Sequence, residues 1–518
     1  MKRKTLTTAV LAGLTGVAGM VSVSNAVNLN PDGLGQVLLY PYYSARGGND
    51  TLISIVNTTD NAKSVKVRFL EALNSREVLD FNLYMSEYDV WVAAITGNSA
   101  GGGSLIIPDS SCTVPYFFGQ GTFADETQRF GSVDFVDFAY TGPNDDSGPQ
   151  DIERTASGYI EVIEMGTLVD ITEGSAAAAT HVLTTVPGPG GADVEVPRPS
   201  DCQQLVDAWT IFGGTGGYWA DTTNPDRLLV DHEMPSGGLF GGGSIINVAD
   251  GTMFSYNADA IDAFSTAILH TDPGDIFPNL NSGDNVSNVF INGVVDTQEW
   301  AEGVEAVSAN VLYDTVMNEY VIDPAINSRS EWVVNFPTKR FYVDGPFAID
   351  TPPVDPFTVA WTGDACEPVA FQFWDREEAP SNPVIQPPII SPPPPTPPGS
   401  GPFTLCYETN VIRFDQTGGS VPTESEILKE PRFATIPMGD FTSGWLRFEF
   451  NPNDPPVHVT RPSAAGIQYL GLPTIGFWVN TYSNGQLGGG TVLANYGGTF
   501  KHRGSRRLQV APPPAPTP

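Results

Sequence analysis

Two clusters of carboxylate and amide side chains carry the oxygen donors that calcium prefers in proteins. The first cluster is Asn144, Asp145, Asp146 and Asp151, and the second is Asp272, Asp275, Asn279, Asn281 and Asp284. Neither spacing matches the twelve-residue loop of an EF-hand, and exposed acidic turns are the alternative interpretation. The sequence therefore predicts calcium as a candidate cofactor and predicts that the protein requires no cofactor.

Catalytic motifs give no support for an enzyme. The sequence has no H-E-x-x-H zinc motif, and we predict no nucleophile site. Asp231-His232-Glu233 holds the one histidine flanked by acids, and a solvated turn is the alternative to a catalytic or metal-binding role. A glycosidase would need two carboxyl groups roughly 5–10 Å apart, and the order of 59 acids along a chain does not show such a separation. We predict a non-enzymatic protein.

The four cysteines are Cys112, Cys202, Cys366 and Cys406. No two of them have the C-x-x-C spacing that zinc sites usually need. Four cysteines allow three disulfide pairings. We favour Cys112–Cys202 and Cys366–Cys406, because each bridge then closes a loop within one half of the chain.

The first 26 residues have the three parts of a secretory signal peptide. Lys2 to Lys4 give the charged start, residues 9–23 form a short apolar run, and Ser24-Asn25-Ala26 is a small-x-small cleavage site. A membrane anchor is the alternative, but a span needs about 20 apolar residues. No later stretch is that long, so we expect no transmembrane segment after cleavage. The predicted location is the periplasm, the cell surface or the extracellular space.

The chain has 25 lysines and arginines against 59 aspartates and glutamates, a formal net charge of −34. This charge disfavours nucleic acid and anionic membranes as partners. One basic run consists of Lys501, His502, Arg503, Arg506 and Arg507. This run could contact an anionic polymer or the acidic surface of a second subunit, and a solvated strand end is the alternative.

Residues 36–95 alternate apolar and polar side chains and must form the main scaffold. Within them Val65, Val67 and Phe69 alternate with two basic residues, the period of two that is typical of a half-buried strand. Five such runs, separated by turn residues, predict an antiparallel, immunoglobulin-like β-sandwich.

Two helices are predicted from their capping residues. The first runs from Ser200 to Trp209, with Gln203 completing its cap, and it turns Cys202 inward towards the sheet. The second begins at Asp296. The predicted fold class is therefore mainly β: the sandwich plus a second β-rich part with a few short helices.

The predicted domains follow from these elements. They are a signal peptide over 1–26, an N-terminal β-sandwich with an insertion over 27–290, a C-terminal β-rich domain over 291–508 and a disordered Pro-rich tail over 509–518. Eleven prolines in residues 380–402 predict an extended polyproline loop within the C-terminal domain.

Three stretches carry a resemblance to known proteins: LLYPYYSARGGNDTLISIVNTTD, KSVKVRFLEALNSREVLDFNLYMS and WVVNFPTKRFYV. They are similar to stretches of large exported or cell-surface β-rich proteins of proteobacteria. The strand–NTTD–strand pattern resembles an immunoglobulin-like module at the N-terminus. The resemblance implies location and fold style, and it implies no activity.

Export, acidity and a β-sandwich together predict a cell-surface or extracellular matrix protein that acts in adhesion or self-assembly. Sandwich folds present edges and loops that suit such contacts. The alternative is a carbohydrate-binding protein or a glycan-active enzyme. The expected partners are accordingly a second copy of the chain or surface glycans.

Overall fold

The computed structural model of the chain has ten described stretches. They are residues 26–118, 121–122, 129–170, 175–188, 191–210, 217–221, 223–381, 403–416, 422–487 and 492–512. The predicted signal peptide up to residue 25, the proline loop from residue 382 and the tail from residue 513 lie outside these residues.

The first half of the chain forms two antiparallel sheets that face each other. Its strands are β1 (Asn28–Leu29), β2 (Val37–Ser44), β3 (Asn49–Asn57), β4 (Lys63–Glu71), β5 (Glu77–Met85), β6 (Val90–Gly97), β7 (Gly103–Ile107), β8 (Cys112–Val114), β9 (Gly121–Thr122), β10 (Arg129–Asp134), β11 (Ser157–Leu168), β12 (His181–Pro187), β13 (Asp193–Pro199), β14 (His232–Glu233), β15 (Leu239–Asn247), β16 (Thr252–Asn257) and β17 (Asp259–Asp262). Sheet I has the order β1-β17-β2-β11-β4-β5-β8, with β14 beside β11. Sheet II has the order β16-β15-β3-β6-β7-β10-β9, and β12 and β13 form a separate hairpin.

The apolar core between the two sheets confirms the predicted strand faces. Val65, Val67 and Phe69 of β4 are all buried in this core. Phe81 of sheet I meets Trp91 of sheet II, with ring centroids 5.7 Å apart. Sheets I and II therefore form a β-sandwich.

The prediction of half-buried strands is wrong for β4. Lys66 and Arg68 lie on the outer face of sheet I, yet they are 0% and 2% exposed. Lys66 donates a hydrogen bond to the Asp272 carbonyl, and Arg340 donates to the Ser75 carbonyl and lies 3.6 Å from Glu161. The loop at Asp272 and the segment that includes Arg340 therefore cover this face. Sheet I is therefore a buried middle layer.

The second half of the chain contributes a four-stranded sheet (β24-β28-β21-β33), a five-stranded sheet (β27-β26-β22-β31-β32) and four short strand pairs. Its strands are β18 (Val286–Ile291), β19 (Val294–Glu299), β20 (Leu312–Tyr313), β21 (Thr315–Val321), β22 (Ser328–Asn335), β23 (Glu367–Pro368), β24 (Ala370–Asp375), β25 (Thr404–Leu405), β26 (Thr409–Asp415), β27 (Phe433–Pro437), β28 (Ser443–Glu449), β29 (Ile467–Leu470), β30 (Leu472–Pro473), β31 (Ile475–Leu487), β32 (Val492–Lys501), β33 (Arg503–Ser505) and β34 (Arg507–Val510). Only β26 and β27 pair in parallel among these strands of the described chain.

Apolar contacts cross the predicted boundary at residue 290. Along β22, Trp332 and Val334 lie in a core that also holds Val37 and Ile163 from the first half. Val333 points the other way, into the core of the sandwich. Strand β22 of the five-stranded sheet is thus buried on both faces, and the domain boundary itself stays a prediction.

The helices in the described residues are short. They are α1 (Ser175–Ala179), α2 (Cys202–Trp209), α3 (Arg227–Val230), α4 (Gly303–Val311) and α5 (Arg340–Val343), with 3-10 turns at Phe138–Tyr140, Gly142–Asn144, Ile152–Ala156 and Pro324–Ile326. Strands account for 46% of the described residues and helices for 11%, which confirms the predicted mainly β class.

Both predicted helix starts need correction. Helix α2 is capped by Asp201, whose side chain accepts a hydrogen bond from the Gln204 N–H, and not by Ser200. Asp296 lies in β19, because Asn292 and Gly293 both have positive φ and close a hairpin between β18 and β19. Helix α4 begins after that hairpin, at Gly303.

Candidate binding sites

Both predicted disulfides are present. Cys112–Cys202 joins β8 of sheet I to helix α2, and Cys366–Cys406 joins the two segments that flank the β23–β25 pair. Disulfides are typical of proteins in oxidising compartments, so both bridges fit an exported protein. Among the described residues, no helix is both long enough and apolar enough to cross a membrane.

The first predicted calcium cluster is not gathered around a common point. Asp146 holds the guanidinium of Arg154 instead, with 2.6 Å from its Oδ2 to Nη2. Asp145 accepts a hydrogen bond from the backbone two residues on, Asn144 donates to a backbone carbonyl, and Asp151 lies 3.7 Å from an arginine. The cation at this cluster is therefore part of the protein.

In the second cluster, too, a positively charged side chain of the protein contacts the oxygen atoms. The Lys66 ammonium donates to the carbonyl oxygens of Asp272 at 2.8 Å, Pro273 at 3.2 Å and Asp275 at 3.3 Å, and it pairs with Asp80 at 3.1 Å. These are hard oxygen ligands of the kind that calcium takes. A buried lysine occupies their centre.

The side chains of the second cluster stabilise loops. Each accepts a hydrogen bond from a backbone N–H: this holds for Asp272, Asp275, Asn279, Asn281 and Asp284. In the part of the chain that the structure describes, no group of three or more His, Cys, Asp or Glu residues is placed to hold a metal.

Calcium binding at either cluster stays a prediction. If it occurs, excess calcium should raise the melting temperature of chelator-treated protein, because a ligand that binds only the folded state stabilises it. Differential scanning fluorimetry checks this, and identical melting curves with and without calcium would dismiss the cofactor.

The outer face of sheet I carries a buried charge layer that the sequence analysis did not predict. Arg68 donates to Glu77 and to Glu161, both at 2.7 Å. Lys63 and Glu164 pair at 2.7 Å, and both side chains are fully buried. Buried charges are tolerated when each has a partner and the remaining hydrogen bonds are made. Arg340 lies 3.6 Å from Glu161 and Asp344 pairs with Arg76 at 2.8 Å, so this layer joins the two halves of the chain.

Glu408 is the exception in this layer. It is buried, and neither of its carboxylate oxygens has a hydrogen-bond partner in the described chain. Burial raises its pKa to about 8, against an attraction from Lys339. Between the unfolded pKa of about 4.3 and this value, the folded protein binds more protons than the unfolded one. This group therefore lowers the stability as the pH rises through that window.

Glu408→Gln should remove that pH dependence, because the amide has the same shape and no charge. Near pH 8 we expect the variant to be more stable than the wild type by at least about 1 kcal/mol, since one pKa unit corresponds to about 1.4 kcal/mol. Near pH 4.5 the two should be equal. Urea unfolding across this range measures the difference, with the exposed Glu377→Gln as the matched control. Parallel curves for Glu408→Gln and wild type would contradict the assignment.

The solvated turn expected at Asp231-His232-Glu233 is wrong. His232 is buried, and its ring lies 3.9 Å from that of His270 and 5.8 Å from that of Trp219. Burial lowers the pKa of His232 to about 3. The imidazole is therefore neutral at ordinary pH and packs in an aromatic cluster beside the Cys112–Cys202 bridge.

One motif was missed at the sequence level. Residues 97–101, GNSAG, match the G-x-S-x-G pattern of hydrolase nucleophiles. That chemistry needs a sharp turn from a strand into a helix, whereas these residues connect β6 to β7 in a hairpin. Asn98 fixes the turn by accepting hydrogen bonds from the N–H groups of Ala100 and Gly102. The geometry is that of a hairpin and not of a nucleophile elbow.

Three residues of the basic run near the C-terminus make ion pairs or hydrogen bonds within the molecule. Lys501 pairs with Asp259, and Arg507 pairs with Asp314. Arg506 donates to the last carbonyls of helix α4. These contacts fasten the final strands to the body.

The outer face of sheet II carries an uncharged patch built from neighbouring strands, and Asp50 on β3 lies at its edge. We call it the charge-free face, and it consists of Leu52, Ser54, Val56, Val90, Val92, Ala94, Ile106, Phe240, Gly242, Ser244, Ser255 and Asn257. Leu52, Val92 and Phe240 are 43%, 37% and 42% exposed. Gly242 has no side chain, and a depression of about 540 Å³ lies over the middle of the face.

A second surface holds two tryptophans on the four-stranded sheet. Trp374 and Trp445 lie side by side on β24 and β28, with ring centroids 4.1 Å apart and an angle of 8° between their planes. The guanidinium of Arg447 lies 5.3 Å from the Trp374 ring. The two rings cover one face of each other, so they are stacked and do not lie as coplanar neighbours on the surface.

Comparison with known protein families, with curated proteins and with solved structures gives no match.

Proposed function

We propose that this protein is an exported, non-enzymatic surface protein that self-associates through the charge-free face of sheet II. The observation that carries the proposal is a patch of twelve outward-facing residues on five strands that holds no ionisable side chain, bounded on β3 by Asp50, on a chain of net charge −34.

Charge decides where two copies can meet. Two molecules of this acidity repel each other, and the repulsion extends over a Debye length of about 8 Å at physiological salt. A contact that brings carboxylates together would add their desolvation to this repulsion. The charge-free face avoids that second penalty, so it is the surface on which a second copy is best accommodated.

The size of the face sets the strength of the contact. Five strands about 4.8 Å apart span roughly 20 Å, and three outward residues per strand span about 14 Å. The resulting area of roughly 300 Å² is smaller than the roughly 800 Å² per partner of a standard interface. The contact is therefore weak, and it becomes effective when many copies are concentrated on a surface. That behaviour suits a protein that assembles into a layer or matrix.

Carbohydrate binding is the second function that the chemistry allows. The paired Trp374 and Trp445 would be its site, but each ring covers one face of the other, so each has only one face left for a sugar. Self-association remains the better-supported proposal.

Val92→Glu should weaken self-association at least tenfold, because it places a carboxylate in the centre of the charge-free face. Sedimentation velocity over a range of protein concentrations measures the change. Raising the ionic strength should strengthen association of the wild type, since salt screens the net repulsion.

The matched control is Val294→Glu, on the tip of the β18–β19 hairpin. Val294 is 62% exposed and belongs to a different surface, so this variant should associate like the wild type. Equal association of Val92→Glu and wild type, or a wild type that stays monomeric at every concentration and salt, would refute the proposal.

A further inference from the structure

The hairpin of β12 and β13 is a small sheet of its own, with two outer edges that differ. Within the described residues its two strands pair with each other and with no other strand. Val182 and Leu183 on β12 are 45% and 69% exposed, so this strand is in contact with solvent. The hairpin shares no residue with the charge-free face, which lies on strands of sheet II.

The hydrogen bonds at the two ends of the hairpin fix which backbone groups point outward. The Gly188 N–H donates to the Ala192 carbonyl at 2.8 Å, and the Ser200 N–H donates to the Thr180 carbonyl at 2.9 Å. Bonded and non-bonded pairs alternate along an antiparallel ladder. Every second residue of each strand between these two bonded pairs therefore points its backbone groups away from the other strand.

On β12 these outward groups form a row of donors and acceptors. They belong to His181, Leu183, Thr185 and Pro187. The first three each offer an N–H, and none of these N–H groups donates to a residue in the described chain. A row of this kind is a template on which another strand can pair.

On β13 the outward positions are protected. Pro197 and Pro199 occupy two of them, and proline has no N–H to donate. Asp193 and Glu195 occupy the other two. Prolines and charged side chains are the devices by which proteins protect an edge strand from pairing. The hairpin is therefore closed along β13 and open along β12.

The base of the hairpin is held in place before any partner arrives. It lies between helices α1 and α2, and Cys202 of α2 is bridged to Cys112 of sheet I. The His181 ring also hydrogen-bonds with the Ser86 hydroxyl at 3.2 Å. A strand that is fixed in advance loses little conformational entropy on binding.

The charges of the hairpin allow a second copy of this acidic chain to approach along β12. Strand β12 carries no Asp, Glu, Lys or Arg. When two β12 strands pair, the two β13 strands lie three strand spacings apart, about 14 Å. That distance exceeds the Debye length of about 8 Å at physiological salt. Pairing through β13 would instead bring Asp193 and Glu195 of both copies to within about 5 Å.

We propose that β12 pairs in antiparallel orientation with β12 of a second copy, so that the two hairpins form one four-stranded sheet around a two-fold axis. The free N–H groups of His181, Leu183 and Thr185 donate to β12 carbonyls of the other copy, the usual mode of strand addition. The contact deepens the proposed function and rests on it for the larger assembly. One two-fold contact closes at a dimer, and a second contact at the charge-free face lets growth continue.

The test uses the full mature protein with Val92→Glu, which disables the charge-free face and leaves the β12 contact. Sedimentation velocity of this variant should show no large assemblies and a dimer at high protein concentration. Thr185→Pro, added to it, removes one outward N–H and keeps the hydrogen bonds within the hairpin, so the dimer should dissociate at least tenfold more readily. The matched control is Glu195→Pro, directly opposite on the protected edge, which should leave the dimer unchanged.

A second variant guards against damage by proline. Leu183→Glu keeps every backbone group, and Leu183 is 69% exposed, so the hairpin should fold as before. The new carboxylate lies beside its copy in the second molecule and should also weaken the dimer at least tenfold. Hydrogen exchange in the β12 segment of the Val92→Glu protein should slow as the protein concentration rises.

Two results would overturn the β12 contact: a Val92→Glu protein that is monomeric at every concentration, or a dimer that withstands both Thr185→Pro and Leu183→Glu. Neither result bears on the charge-free face. Conversely, a Val92→Glu protein that assembles like the wild type refutes the proposed function, and the two β12 variants still decide whether β12 pairs.

Discussion

Replacing Arg154 by methionine is expected to lower the free energy of unfolding by about 3–5 kcal/mol, the usual effect of removing one partner from a buried ion pair. Arg154 is 1% exposed. It donates to Glu71 at 2.8 Å and to Asp146 at 2.6 Å, and its guanidinium lies 4.2 Å from the Tyr140 ring. Methionine fills most of the same volume, so the loss comes from Glu71, which loses its counter-charge, and from Asp146, which keeps only Arg76 at 3.6 Å.

The matched control is Arg329→Met. Arg329 pairs with Glu426 on the surface, where the two side chains are 48% and 36% exposed. Surface ion pairs contribute about 0–1 kcal/mol, so this variant should unfold close to the wild type. Urea denaturation at neutral pH compares the three proteins. A loss below about 1 kcal/mol for Arg154→Met would mean that water reaches Glu71 and Asp146 in the folded state.

The contacts of Arg154 also explain why a calcium site was predicted at the first cluster. Asp146 and its neighbours have the composition of a cation site, and the cation is Arg154 itself. In the second cluster Lys66 plays this role. Composition shows that oxygen ligands are abundant along a stretch, and it does not show whether a distant lysine or arginine folds back to meet them.

The core-facing side of a strand was predictable because it depends on the alternation of residues that are neighbours in sequence. The alternation of Val65, Val67 and Phe69 with basic residues identifies β4 and its core-facing side. What covers the other side was not predictable, because Arg340 comes from a segment about 270 residues later. A charged strand face that is solvated and one that is buried under paired charges have the same sequence pattern.

The charge-free face, which is the candidate site, was likewise not predictable from the sequence. Leu52, Ser54 and Val56 alternate like any strand of a sandwich, and the pattern does not say which side meets water. The face exists only because β15 pairs with β3, which places Phe240 beside Val56 and Gly242 beside Ser54. That register joins segments separated by nearly 190 residues, and no local rule sets it.

Removing the Cys112–Cys202 bridge by a double serine substitution is expected to lower the free energy of unfolding by about 4–5 kcal/mol. The bridge spans 90 residues, and the entropy that a disulfide removes from the unfolded chain grows with the logarithm of the loop length. The bridge also holds helix α2 against sheet I, where the Trp209 indole donates to the Tyr84 hydroxyl at 2.7 Å. Loss of the bridge should therefore expose this helix first.

The second bridge is the internal comparison. Cys366–Cys406 spans only 40 residues, so chain entropy predicts that its removal costs about 0.7 kcal/mol less than removal of the first. Thermal unfolding and hydrogen exchange of both double variants measure the order and its location. If the 40-residue bridge proved the more stabilising of the two, packing around the bridges and not chain entropy would set their contributions. Helix α2 would then be held to sheet I by Trp209, Tyr84 and their aromatic neighbours even in the reduced protein.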